Sequence, residues 1–165
     1  MPEQLTALRT GALDAALLNA ELTIVARKEG FRELTDLAKT GLNFPTSSIV
    51  TTRSFIKRSE NTVRKFIRGF AEGVHYGKTQ RAFGVQVLKK YLRNDDTAFV
   101  NELYDLYILQ NIPQIPGPSP GALKTVLDQM AETDSRVMNL RPEQFIDARF
   151  FQELEREGFF QRLWR

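Results

Sequence analysis

The sequence predicts an α/β fold, rich in helix, on three observations. Residues 13–18 form a short apolar run, bounded by Gly11 on one side and by Asn19 and Glu21 on the other. Such a run is too short for a buried helix and reads as a buried strand of a parallel sheet. A helical pattern then starts at once at Ala20, so that the opening residues alternate helix, strand, helix, strand. From Ser59 onward, apolar residues recur at helical spacing through most of the chain.

In order, residues 2–10 read as the end of a helix. Leu5 and Leu8 share a face, and Gly11 suits the left-handed position after a helix. The strand at residues 13–18 runs straight into a helix over 20–29, with Leu22, Val25 and Ala26 inward and Gly30 as its stop. The loop between them, Asn19 to Glu21, therefore lies at the strand's carboxyl end. Open α/β sheets bind ligands there, and the free N–H groups of a helix's first turn point the same way. Residues 31–37 are a second short strand candidate. Pro45, with Thr46, Ser47 and Ser48 after it, marks a break and crossover. Residues 48–52 have β-branched strand character.

The remainder reads as helix. Ser59 is a candidate N-cap. Val63, Phe66, Ile67, Phe70 and Val74 make one stripe, and Gly77 is the expected stop. The next helix, about 80–92, carries Phe83, Val87, Leu88 and Tyr91. Asp95 or Asp96 caps a third, with Phe99, Leu103, Leu106 and Tyr107 inward. Residues 111–118 are a proline-broken extended loop. Ser119 and Pro120 open a helix that buries Leu123, Val126, Leu127 and Met130. Asp147 caps a last helix ending near Gly158. Phe159, Phe160, Leu163 and Trp164 form an apolar tail that docks on the core.

Composition bounds the chemistry. The 165 residues suffice for one ordinary domain, or for one domain and part of another. Lys and Arg number 23 against 20 Asp and Glu, dispersed along helix faces. That is a solvated surface and not a nucleic-acid footprint. The absence of cysteine excludes disulfides, thiolate catalysis and Cys-based zinc sites. No run is long and apolar enough to span a membrane, and the first residues have no signal-peptide pattern. His75 is the sole histidine, without ligand-spaced partners, so no metal site is expected. No nucleophile–base pair, phosphate loop or dinucleotide fingerprint occurs, so no catalytic residue and no cofactor are expected.

Several strings, in order, resemble one family. GALDAALL at residues 11–18 is similar to the G-x-x-D-A-A strand of the solute-binding proteins of ABC transporters. The group is the NMT1-like, SsuA/TauA-like one, for nitrate, sulfonate, taurine and thiamine-pyrimidine precursors. VTTRSFI at 50–56 resembles the family's crossover strand, and TVRKFIRGFAEGVHY at 62–76 the long helix after it. VLKKYL at 87–92, PSPGAL at 118–123 and FID at 145–147 continue the likeness.

The resemblance implies a periplasmic-binding-protein type II-like fold of which this chain is a partial copy, the second half. Residues 1–44 would finish the second lobe, and residues 45–165 would cross over and return to the first with its outer helices. The chain would be a fragment, or the product of a gene without its front half. The implied function is capture of a small polar organic solute in a cleft, delivered to membrane permease subunits. The implied location is periplasmic or lipid-anchored outside the cytoplasm. An enzyme making the thiamine pyrimidine, or a transcription-regulator effector domain, would use the same scaffold.

The expected ligand contacts are Asn19 and Glu21, with Asp14, Thr46, Ser47 and Ser48. Each has a plainer reading. Asn19 caps a helix, Glu21 complements its dipole, Asp14 bonds backbone at a strand start, and the hydroxyls serve a turn. A carboxylate at Glu21 repels inorganic anions, so the expected solute carries a hydrogen-bond-donating or cationic group, as an aminopyrimidine does. Self-association through an exposed sheet edge is a further expectation.

Overall fold

The computed structural model describes residues 2–41, 43–45 and 47–165. In chain order its α-helices are α1 (Pro2–Arg9), α2 (Ala20–Lys28), α3 (Arg53–Arg58), α4 (Glu60–Thr79), α5 (Arg81–Leu92), α6 (Thr97–Tyr104), α7 (Pro120–Ala131), α8 (Arg149–Arg156) and α9 (Phe159–Leu163). A π-helical stretch, Asp105–Asn111, continues α6. The chain divides into two compact units. One comprises residues 1–36 and 76–114, the other 37–75 and 115–165.

Among the described residues no strand forms, which corrects the three strand expectations. Residues 13–18, 31–36 and 48–52 are irregular backbone outside any ladder. Most of their side chains face solvent, with Leu17 64% and Val50 85% exposed. The physical reason is that a strand is a paired object. An apolar run with β character becomes one only when a neighbouring strand takes up its N–H and C=O groups. No other described segment supplies that partner.

In the first unit, two glycine turns set the path. α1 ends in a Schellman turn at Gly11 (φ +70°), with Ala12 N–H on the Ala7 carbonyl and Gly11 N–H on that of Leu8. α2 ends likewise at Gly30 (φ +89°), where Phe31 N–H reaches the Ala26 carbonyl and Gly30 N–H that of Arg27. Arg9 and Glu29 tie the two helix ends together. The core joins Ile24 of α2 to Phe99, Val100 and Leu103 of α6, with Val85, Leu88 and Leu92 of α5 packed against them.

The inward face of α5 differs from the sequence reading. Phe83 and Tyr91 are exposed, and Gly84 is buried in their place. Tyr104 explains this. Its ring is fully buried and its hydroxyl donates to the Gly77 carbonyl at 2.7 Å. A Cβ on Gly84 would stand 2.5 Å from Tyr104 Cε2, so only glycine lets α5 come this close. The Arg81 guanidinium lies 4.8 Å over the same ring and pairs with Asp105.

In the second unit, α4 packs Ile67 and Ala71 against Phe150 and Leu154 of α8 and Phe159 and Phe160 of α9. Gly158 (φ +67°) takes the left-handed conformation that breaks α8 from α9. The apolar tail thus docks as the sequence predicts, with Trp164 meeting His75 edge-to-face at 4.8 Å. Arg64 and Arg68 of α4 pair with Glu153 and Glu157 at 2.8 Å each.

The α4 stripe is displaced from the predicted one. Its inward line runs through Ile67 and Ala71, while Phe66 (55%) and Phe70 (37%) face solvent. Fully buried Ala71 lies in one cluster with Phe150, Leu154, Phe159 and Phe160, where a small residue lets the large ones pack. Gly69 and Gly73 sit on the same outer side, and a Cβ at either would meet nothing within 4 Å. Each costs the helix about 1 kcal/mol relative to Ala. On α7, capped by Ser119 and opened by Pro120, Ala122 and Leu127 are buried while Met130 is exposed.

Candidate functional site

The site is built on the first turn of α2. Asn19 has extended backbone (φ −75°, ψ 169°), and its side-chain carbonyl accepts the Leu22 N–H at 3.0 Å. This is N-capping, as the plainer reading of Asn19 has it. The remaining N–H groups of the first turn and the positive end of the helix dipole face the loop before it. The other end of α2 is anchored. Ile24 is wholly buried against α6, Arg27 pairs with Glu102, and Lys28 with Asp96 at 3.1 Å. The helix is thus held along its length, since Ala20 at its amino end also packs against that core.

Glu21 lies in that first turn and is half-buried. No described residue gives its carboxylate an ion pair or a hydrogen bond. A carboxylate so placed, partly withdrawn from water, gains from a cationic or donating ligand group. Asp14 is exposed on the preceding irregular segment and takes no part in capping α2. The strand-start role expected for it falls with the strand.

Asp14, Asn19 and Glu21 belong to the first unit, and Ser47 and Ser48 to the second. Both serines are exposed, on irregular backbone. Thr46 lies outside the described residues. The hydroxyl that does cap a helix nearby is that of Thr52, which accepts from Phe55 N–H at 3.1 Å and opens α3. Sequence reading missed it, although Thr before a helical run is the ordinary N-cap signal.

Several other charged groups are engaged with one another. The Arg149 guanidinium beside Asp147 holds that carboxyl below the usual range. Arg64 does the same for Glu153, and Arg81 for Asp105. Lys78, whose ammonium donates to the Leu109 carbonyl at 2.9 Å, is pushed down by burial. Among the described residues, no group of three or more His, Cys, Asp or Glu is placed to hold a metal ion. No helix described is long and apolar enough to cross a membrane.

An irregular approach segment, a capped helix start and an unpaired, half-buried carboxylate thus meet at the start of α2. Residues 2–80 match the family described as NMT1/THI5 like. This stretch, which contains α1 to α4 and the whole α2 site, is similar to that family, in line with the resemblance of GALDAALL and TVRKFIRGFAEGVHY. No curated protein and no solved structure matches the chain.

Proposed function

We propose that the chain is part of the solute-binding component of an ABC importer. It would capture a small polar organic solute without chemistry on it, outside the cytoplasm, and present it to permease subunits. Capture would work by closure, because a ligand that bridges two lobes favours the closed form. The unpaired, half-buried Glu21 in the Asn19-capped first turn of α2 carries the reading, within a segment that matches the NMT1/THI5-like family. Asn19 would orient the ligand through its amide N–H groups, and Glu21 would accept from a donating or cationic group. Asp14, Thr46, Ser47 and Ser48 would supply further polar contacts. On this reading residues 1–44 finish one lobe and residues 45–165 cross over and return to the other.

The test is a thermal-shift screen of the chain against an aminopyrimidine, taurine and nitrate. A ligand at ten times its dissociation constant adds about 1.4 kcal/mol, or a shift of about 3–6 °C. The expected result is a shift with the aminopyrimidine that Glu21→Gln removes. A larger shift with nitrate, unaffected by Glu21→Gln, would overturn the assignment.

A further inference from the structure

We infer that the outer face of α4 is a self-association surface, and that its occupant is the α4 helix of a second copy of this chain, crossing antiparallel. The inference is independent of the transport reading. Thr62, Phe66, Gly69, Phe70 and Gly73 share this face, all are exposed, and none carries a charge. Two large rings stand in water beside two glycines with open space above them. The face opposite is already committed to the core through Ile67 and Ala71.

The pattern is complementary to itself. In an antiparallel pair of identical helices, contacting positions have a constant sum, and every contact occurs twice. A register that seats Phe66 over the partner's Gly73 brings the two Gly69 backbones together on one flank and the two Phe70 rings together on the other. Each Phe66 ring then enters a hole that only glycine leaves open, and the reciprocal contact follows from the two-fold axis.

Charge supports the same occupant. Lys65 and Glu72 lie two helical turns apart on one flank of this face, both exposed. No described residue pairs with either. A two-fold axis between antiparallel helices brings equal flanks together. Lys65 of each copy thus meets Glu72 of the other, offset from the Phe–Gly register by two residues, within reach of these long side chains. A partner of different sequence would satisfy the apolar face but has no reason to match this reciprocal charge order.

Sedimentation equilibrium of the whole chain, from about 1 to about 100 µM, tests the proposal. The native chain is expected to dimerise. Phe66→Asp should raise the dimer dissociation constant at least about ten-fold, as loss of a central aromatic anchor does. Phe66 is outside the core, so circular dichroism of that variant should stay native. Gly73→Leu, which fills the hole, should weaken the dimer comparably. Lys65→Glu should also weaken it, and adding Glu72→Lys should restore it. A native chain that stays monomeric throughout would overturn the proposal. So would a charge-swapped double variant no tighter than Lys65→Glu alone, or association that survives Phe66→Asp and is abolished by Leu17→Ser with Val50→Ser.

Discussion

Gly84→Ala sets two physical effects of opposite sign against each other. Helix propensity alone says that the change stabilises α5 by about 1 kcal/mol. Packing says the reverse. The new methyl would lie 2.5 Å from Tyr104 Cε2 and 3.1 Å from both Tyr104 Cδ2 and the Gly77 carbonyl oxygen. Carbon contacts settle near 3.5–4.0 Å, so the ring or α5 must retreat by roughly 1 Å. The ring is fully buried, and its hydroxyl is fixed at 2.7 Å from the Gly77 carbonyl. Overpacking of this kind costs about 1–3 kcal/mol, and loss of the hydroxyl's hydrogen bond about 1 kcal/mol more. The net expectation is a loss of about 1–3 kcal/mol, read from urea unfolding by circular dichroism. In a Tyr104→Leu background the penalty should shrink or change sign, giving a coupling energy of about 0.5–3 kcal/mol. An alanine variant more stable than the native chain would refute the reasoning.

Further outcomes follow from the same contacts. Asn19→Ala should cost about 1 kcal/mol by removing the bond to Leu22 N–H, with Asn19→Asp close to neutral in thermal unfolding. Phe150→Ala, at a site where the ring is buried against α4 and α9, should cost about 3–5 kcal/mol in the same assay. The carboxyls of Asp147, Glu153 and Asp105 are held below their ordinary range by Arg149, Arg64 and Arg81. Each contributes stability present above the unfolded value of about 4 and lost as pH falls through the lower folded value. The melting temperature should therefore drop below about pH 4, and Asp147→Asn should flatten that drop.

The legible part of the fold was what a helix decides by itself. Gly11 and Gly30 as stops, Asp96 and Ser119 as caps, Pro120 at a first helical position and the docking tail at Phe159 and Phe160 are all local chemistry. What a sequence cannot decide by itself is which neighbour is available. The runs at 13–18 and 48–52 have strand composition, yet pairing depends on another segment. On α4 and α5, periodicity gave the angular width of the apolar stripe but not its centre. Large residues drew the prediction toward Phe66, Phe83 and Tyr91, whereas Ala71 and Gly84 mark where neighbours come closest. For the candidate site, the cap at Asn19 was readable from its place before Ala20. The unpaired state of Glu21 was not, because it depends on which charged side chains the fold brings near, and Arg27 and Lys28 of the same helix pair with Glu102 and Asp96.

Both units draw on distant stretches of the chain, which crosses between them three times. This has a consequence for synthesis. Ile67 and Ala71 meet Phe150, Leu154, Phe159 and Phe160 only after nearly the whole polypeptide has left the ribosome. Until then α4 is a nascent helix with both long sides oily, and closing so large a loop carries an entropic penalty that early local contacts do not offset. The interval between the emergence of α4 and the arrival of α9 is therefore when a chaperone would matter most for this molecule, and stop codons shortly before Arg149 should yield aggregates in place of a smaller soluble product.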